Sequence, residues 1–121
     1  MYPPIFETCA AAAGVTALLG SSPVRLYPFG EAPQGVTKPY AVWQTIDGFP
    51  ENFLGNIPDA DTFTIQIDAY ATTAASARAV AQAIRSAIET VAYVTGYNGE
   101  SRDKETNLYR YGFTVDWIIR R

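Results

Sequence analysis

Residues 62–92 read TFTIQIDAYATTAASARAVAQAIRSAIETVA, and a change of period inside them sets the fold class. From Thr62 to Ala71 the side chains alternate. Phe63, Ile65, Ile67 and Ala69 point one way, and Thr64, Gln66, Asp68 and Tyr70 the other, as on a strand with one face in the core. Beyond Ala71 the repeat becomes helical. Thr72 or Thr73 can cap, and a helix to Ala92 then carries Val80, Ile84, Ala87, Ile88 and Val91 on its apolar face. Arg78, Gln82, Arg85 and Glu89 fall opposite and read as a solvated stripe.

Working outward, Tyr93–Tyr97 suits a short strand, and residues 99–107, GESRDKETN, read as a charged turn between antiparallel strands. Leu108–Ile119 alternates again, with Tyr109, Tyr111, Phe113, Val115, Trp117 and Ile119 on one face. Gly112 inside it suggests a bulge or a close approach. On the N-terminal side, residues 3–19 read as one helix, with Pro3 or Pro4 in its first turn and Gly20 as its stop. Its face holds Ile5, Cys9, Ala12, Val15 and Leu19. Residues 24–29 and 40–46 look like strands, separated by a turn region with two prolines and two glycines. The expectation is an α+β domain spanning residues 1–121. Its mostly antiparallel sheet has about four to five strands, with two helices packed on one face.

One segment does not fit a simple turn. Residues 47–61, DGFPENFLGNIPDAD, hold two prolines, two glycines and four acids, yet also Phe49, Phe53, Leu54 and Ile57. Burying those four side chains stabilises by roughly 6–12 kcal/mol. Fixing about fifteen backbone residues costs on the order of 15–30 kcal/mol. The segment therefore needs backbone pairing with its own sheet, or another chain. Its apolar side chains either fold back on that sheet or bury against a neighbour, because exposed clusters of this kind mark interfaces.

The composition narrows the chemistry. With 121 residues, 48% hydrophobic and 17% charged, the chain has a globular balance and length for one modest core. A net charge of −3 argues against a duplex-binding face. Histidine is absent, which removes the usual general base and any Ser-His triad. The single cysteine, Cys9, can form neither an intrachain disulfide nor a zinc cluster, and reads as a small buried residue. No phosphate-binding glycine loop precedes a helix. No apolar run reaches the length of a membrane span, and the first residues lack the basic region of a signal peptide. Acids remain: Glu51, Asp59 and Asp61 in one turn, Glu100, Asp103 and Glu105 in the other. Paired carboxylates can hydrolyse glycosides or hold a hard cation, but on polar turns acids are expected for solubility. The reading is a non-enzymatic protein without cofactor or metal.

Four stretches carry a resemblance to a known family. They are LLG followed by VRLYPFGEAPQGVTKPYAVWQ, the GFPENFLGN loop, FTIQIDAYATTAASARAVAQAIRSAI, and the closing YGFTVDWII. Together they span nearly the whole chain and resemble the tail-terminator (tail-completion, head–tail joining) proteins of long-tailed bacteriophages. The junction Ile67-Asp68-Ala69-Tyr70-Ala71 is the best element, while the acidic turn at 99–106 has no match. The resemblance implies a structural virion protein at the tail–head junction, assembled in the cytoplasm of a bacterial host. It implies a ring, usually a hexamer, that stops growth of the tail tube. Its partners would be copies of itself, the tail tube protein, and a head connector or stopper, with no membrane. Genomic DNA would pass through the lumen without specific binding. On this reading Phe49, Phe53, Leu54 and Ile57 form a subunit or tube interface, and Glu51, Asp59, Asp61, Glu100, Asp103 and Glu105 are candidates for an acidic lumen. The alternative is a small homo-oligomeric adaptor outside phage tails.

Overall fold

The computed structural model describes residues 3–121. Two short helices open the chain, α1 (Ile5–Ala10) and α2 (Ala13–Leu19). The strands β1 (Leu26–Pro28), β2 (Tyr40–Pro50) and β3 (Ala60–Ala71) follow, then α3 (Ala74–Ile88), β4 (Tyr93–Asp103) and β5 (Leu108–Arg120). The five strands form one sheet in the order β1-β2-β3-β5-β4. All neighbouring pairs are antiparallel except β1–β2, which is parallel, so the sheet is mixed.

The alternating residues of β3 decide this arrangement. Ile65, Ile67 and Ala69 are fully buried beneath the helices. β5 pairs with β3 along its whole length, from Ala60↔Arg120 to Ala71↔Tyr109, and adds Phe113, Val115 and Trp117 to the same face. Val80, Ala81, Ile84 and Ile88 of α3 close the core from above, with Ile5, Cys9, Val15 and Leu19 from α1 and α2. Both β3 and β4 are antiparallel to β5, so they run parallel to each other with β5 between them. α3 is the crossover helix of this split β-α-β unit.

Local chemistry sets several boundaries as expected. The Thr73 hydroxyl accepts a hydrogen bond from the Ser76 N–H at 3.1 Å and caps α3. Gly20 ends α2 with a φ of 79°, a conformation glycine adopts without a Cβ clash.

Other boundaries differ. The segment 3–19 is two helices, broken at Ala12, whose φ of −97° and ψ of 117° are extended. Alanine has no intrinsic preference for such a break. The bend instead aims two short apolar stripes at the core, and all four of their large residues are buried. The helical layer therefore holds three helices rather than two. α3 stops at Ile88, which leaves Val91 exposed and Ala92 buried. β1 is three residues long rather than six. β2 continues to Pro50 and β4 to Asp103, both well past the expected ends.

Candidate functional site

The extended β2 answers how the 47–61 segment orders itself. Asp47, Gly48, Phe49 and Pro50 pair with Thr64, Phe63, Thr62 and Asp61 after a bulge at Thr45/Asp47. A Cβ at Gly48 would meet the Phe63 ring at 2.9 Å, so the missing side chain lets that ring lie across the strand. Beyond the ladder, Phe53 and Asn56 form a bridge that closes a tight turn over Leu54 and Gly55. Gly55 has a φ of 83°, as the third position of a type II turn requires. Backbone pairing thus orders a hairpin without burial of its apolar side chains. Relative exposure is 48% at Phe49, 47% at Phe53, 101% at Leu54 and 79% at Ile57. None of the four is tucked under its own domain.

The acids do not form one cluster. Glu51, Asp59 and Asp61 belong to this first hairpin, and Glu100, Asp103 and Glu105 to the β4–β5 hairpin. The two hairpins lie at opposite ends of the twelve-residue β3–β5 ladder, on the order of 35–40 Å apart along the strands. Several of the acids are already engaged. Asp61 pairs with Arg121, whose Nη2 is 2.7 Å from Oδ1, and this hydrogen bond holds the carboxyl below its usual pKa. Glu100 pairs with Arg78 of α3, with the same downward effect. Glu51 accepts from the Thr62 hydroxyl, and Asp103 from the Glu105 N–H at 2.9 Å. Asp59 and Glu105 are exposed and have no side-chain ion pair among the described residues. Among the described residues, no three His, Cys, Asp or Glu side chains come together in a group that could hold a metal ion. Cys9 is buried, and desolvation pushes its thiol up to about 12, far from a reactive thiolate at neutral pH.

The sequence reading missed a second surface. Arg78, Gln82 and Arg85 do not simply face water. They line one wall of a cleft of about 590 Å³, and Tyr97, Glu100 and Tyr111 line the other. An adjoining hollow of about 290 Å³ adds Arg102 and Arg110. The missed signal was the β4 segment. Read as a strand, it places Tyr97, Glu100 and Arg102 on the helix side, opposite Phe113, Tyr111 and Tyr109. Tyr97 ends the expected strand at 93–97, and residues 99–107 read as a turn leave Glu100 and Arg102 unplaced.

The helix-free face is stitched together by polar pairs. Asp68, 8% exposed, forms an ion pair with Arg110 across Gly112. A Cβ at Gly112 would lie 2.6 Å from both Asp68 Oδ1 and Arg110 Nη1, which makes the glycine a site of close approach. Tyr40 and Tyr70 stack at 5.1 Å, and the Thr64 hydroxyl donates to Asp116 at 2.8 Å.

This geometry defines a class: a small sheet-and-helix domain whose distinctive surfaces are an apolar hairpin tip and an arginine-bearing cleft. Residues 3–120 match the family described as tail completion protein gp17, and the chain belongs to that family. It is accordingly a structural protein of phage-type virion tails. Fourteen chains of solved structures match its fold. One, from the virion of a native gene transfer agent particle, superposes with a TM-score of 0.69 at 15% identity. That alignment covers 97% of this chain and 92% of the other. No curated protein matches.

Proposed function

We propose that the chain closes into a ring, a hexamer, on the head-proximal end of the tail tube. There it ends tube growth and presents a surface to the head connector or stopper protein. The observation that supports this most directly is the β2–β3 hairpin: beyond its ladder at Pro50↔Asp61, the bridge Phe53↔Asn56 closes a turn that leaves Phe53 half exposed and Leu54 and Ile57 in water. Apolar side chains fixed in that way lose little further entropy on docking and gain their burial against a neighbour. Family membership supplies the setting.

Six copies at −3 each would carry a formal charge of −18. With Asp61 and Glu100 paired to arginines, Asp59 and Glu105 would contribute most freely to an acidic lumen. DNA would slide past such a wall rather than bind it, since no phosphate contact would release counterions.

The test is the double substitution Phe53→Asp with Leu54→Asp. The variant should remain folded by circular dichroism and fail to form rings on tail tubes in negative-stain images. Rings and completed tails at wild-type yield would overturn the role of the hairpin.

A further inference from the structure

The hairpin tip is acidic and apolar, the α3–β4 cleft and its hollow are lined by arginine and tyrosine, and the two lie apart on the protomer. Residues 47–61 hold four acids and no base, and Arg121 neutralises one of the acids. The cleft and its adjoining hollow are lined by four arginines, Arg78, Arg85, Arg102 and Arg110, against one lining acid, Glu100. Glu100, Glu89 and Asp68 pair with Arg78, Arg85 and Arg110, so the cleft itself is balanced and Arg102 of the hollow carries the one excess positive charge. Arg85 Nε lies 3.2 Å from Glu89 Oε1, and its guanidinium also bonds Tyr97 across the cleft. The exposed Tyr97 and the half-buried Tyr111, above the buried Phe113, offer apolar area there for Leu54 and Ile57.

A protomer cannot fill its own cleft. Tyr97 and Glu100 pair with Phe113 and Tyr111, which pair in turn with Ile67 and Ala69. Those positions are seven and nine residues up β3 from Ala60, where the hairpin leaves the sheet. The separation is about 24–31 Å along the strand. The cleft also lies on the β4 edge, across the sheet from β2.

We infer that the cleft between α3 and β4 receives the β2–β3 hairpin tip of a second copy of this chain. The contact is head-to-tail, with two different surfaces meeting, the kind of contact that builds a ring when the rotation between copies closes. It rests on the ring reading above and names the surface that accepts the hairpin.

The test is site-directed cross-linking with a short bismaleimide, using Leu54→Cys and Gln82→Cys. Cys9 is buried and stays silent. The two single variants are mixed, then assembled at high concentration and on tail tubes. Links between residues 54 and 82 of different chains should form at least ten-fold faster than 54–54 links. They should also exceed ten-fold the links from Leu54→Cys to Asn107→Cys at the far hairpin. An oligomer with predominant 54–54 links, or with none at 82, overturns this inference and leaves the ring intact. A chain that stays monomeric even on tubes overturns the ring and this inference together.

Discussion

The two long hairpins of this protein look alike in sequence and behave differently in the fold. β2–β3 and β4–β5 both extend past the helical layer, at opposite ends of one ladder, and both end in segments rich in acids. The polar side chains of the β4–β5 hairpin are mostly paired within the chain, while Tyr93 and Tyr97 of β4 stay exposed. Glu100 is held by Arg78, Arg102 reaches Asn107 and the Tyr109 ring, and Ser101 accepts from Arg110 at 3.1 Å. Its turn is closed by Asn107 at a φ of 59° and by the Asp103 side chain. The β2–β3 hairpin is satisfied in its backbone and unsatisfied in its apolar side chains. Polar turn composition therefore does not separate a hairpin whose side chains pair within the chain from one that leaves large apolar side chains exposed. The fate of the large side chains does.

The strongest way to break this contrast is to exchange the two ends. With Asp at positions 53 and 54, the first hairpin acquires the polar character of the second. Assembly on tubes should fall at least a hundred-fold, while the urea midpoint stays near that of the wild type, since exposed substitutions shift stability by within about 0.5 kcal/mol.

Gly112→Ala attacks the support shared by both hairpins. Its Cβ would collide with Asp68 and Arg110, at a cost of about 1–3 kcal/mol in denaturant unfolding. An unchanged midpoint would show that the ion pair shifts freely, and that the helix-free face is not tightly built.

Asn107→Ala probes the second turn alone. It forces a left-handed conformation on alanine and should cost about 1–2 kcal/mol, while Asn107→Gly should not. Equal stability of the two variants would remove backbone strain as the reason for an asparagine there.

The smallest effect belongs to the exposed Arg78–Glu100 pair. Arg78 depresses the Glu100 pKa, so any stability it lends is present above the ordinary value of 4.5 and fades as pH falls below that. Glu100→Gln should leave the midpoint at neutral pH almost unchanged and flatten the acid limb. A neutral-pH loss comparable to that of Gly112→Ala would make the pair structural. The Cys9 thiol acts with the opposite sign. Its raised value favours the fold below about pH 9, and that contribution is lost as pH rises towards about 12.

Much of the fold was legible because period and caps are local properties. The β3 alternation, the α3 stripe, the Thr73 cap and the Gly20 stop all stand where the sequence puts them. The exposed quartet at Phe49, Phe53, Leu54 and Ile57 was visible as a question, because greasy residues stood out against prolines, glycines and acids. The arginine cleft was not visible, because residues 99–107, which supply Glu100 and Arg102 to one wall, have the composition of a turn.

By itself, the sequence determined the order of most elements, the core face of each long strand and the lack of histidine chemistry, since each depends on residue type and spacing along the chain. Only the tertiary structure decided the split of the first helix, the parallel β1–β2 pair, the insertion of β5 between β3 and β4, and the lengths of β2 and β4. A strand's end and a helix's bend depend on what pairs or packs across from them, and those partners lie up to sixty residues away in the chain. The pairing of a glycine- and proline-bearing segment with Asp61–Thr64 is such a case: weak in local propensity, it is carried by the ladder beside it.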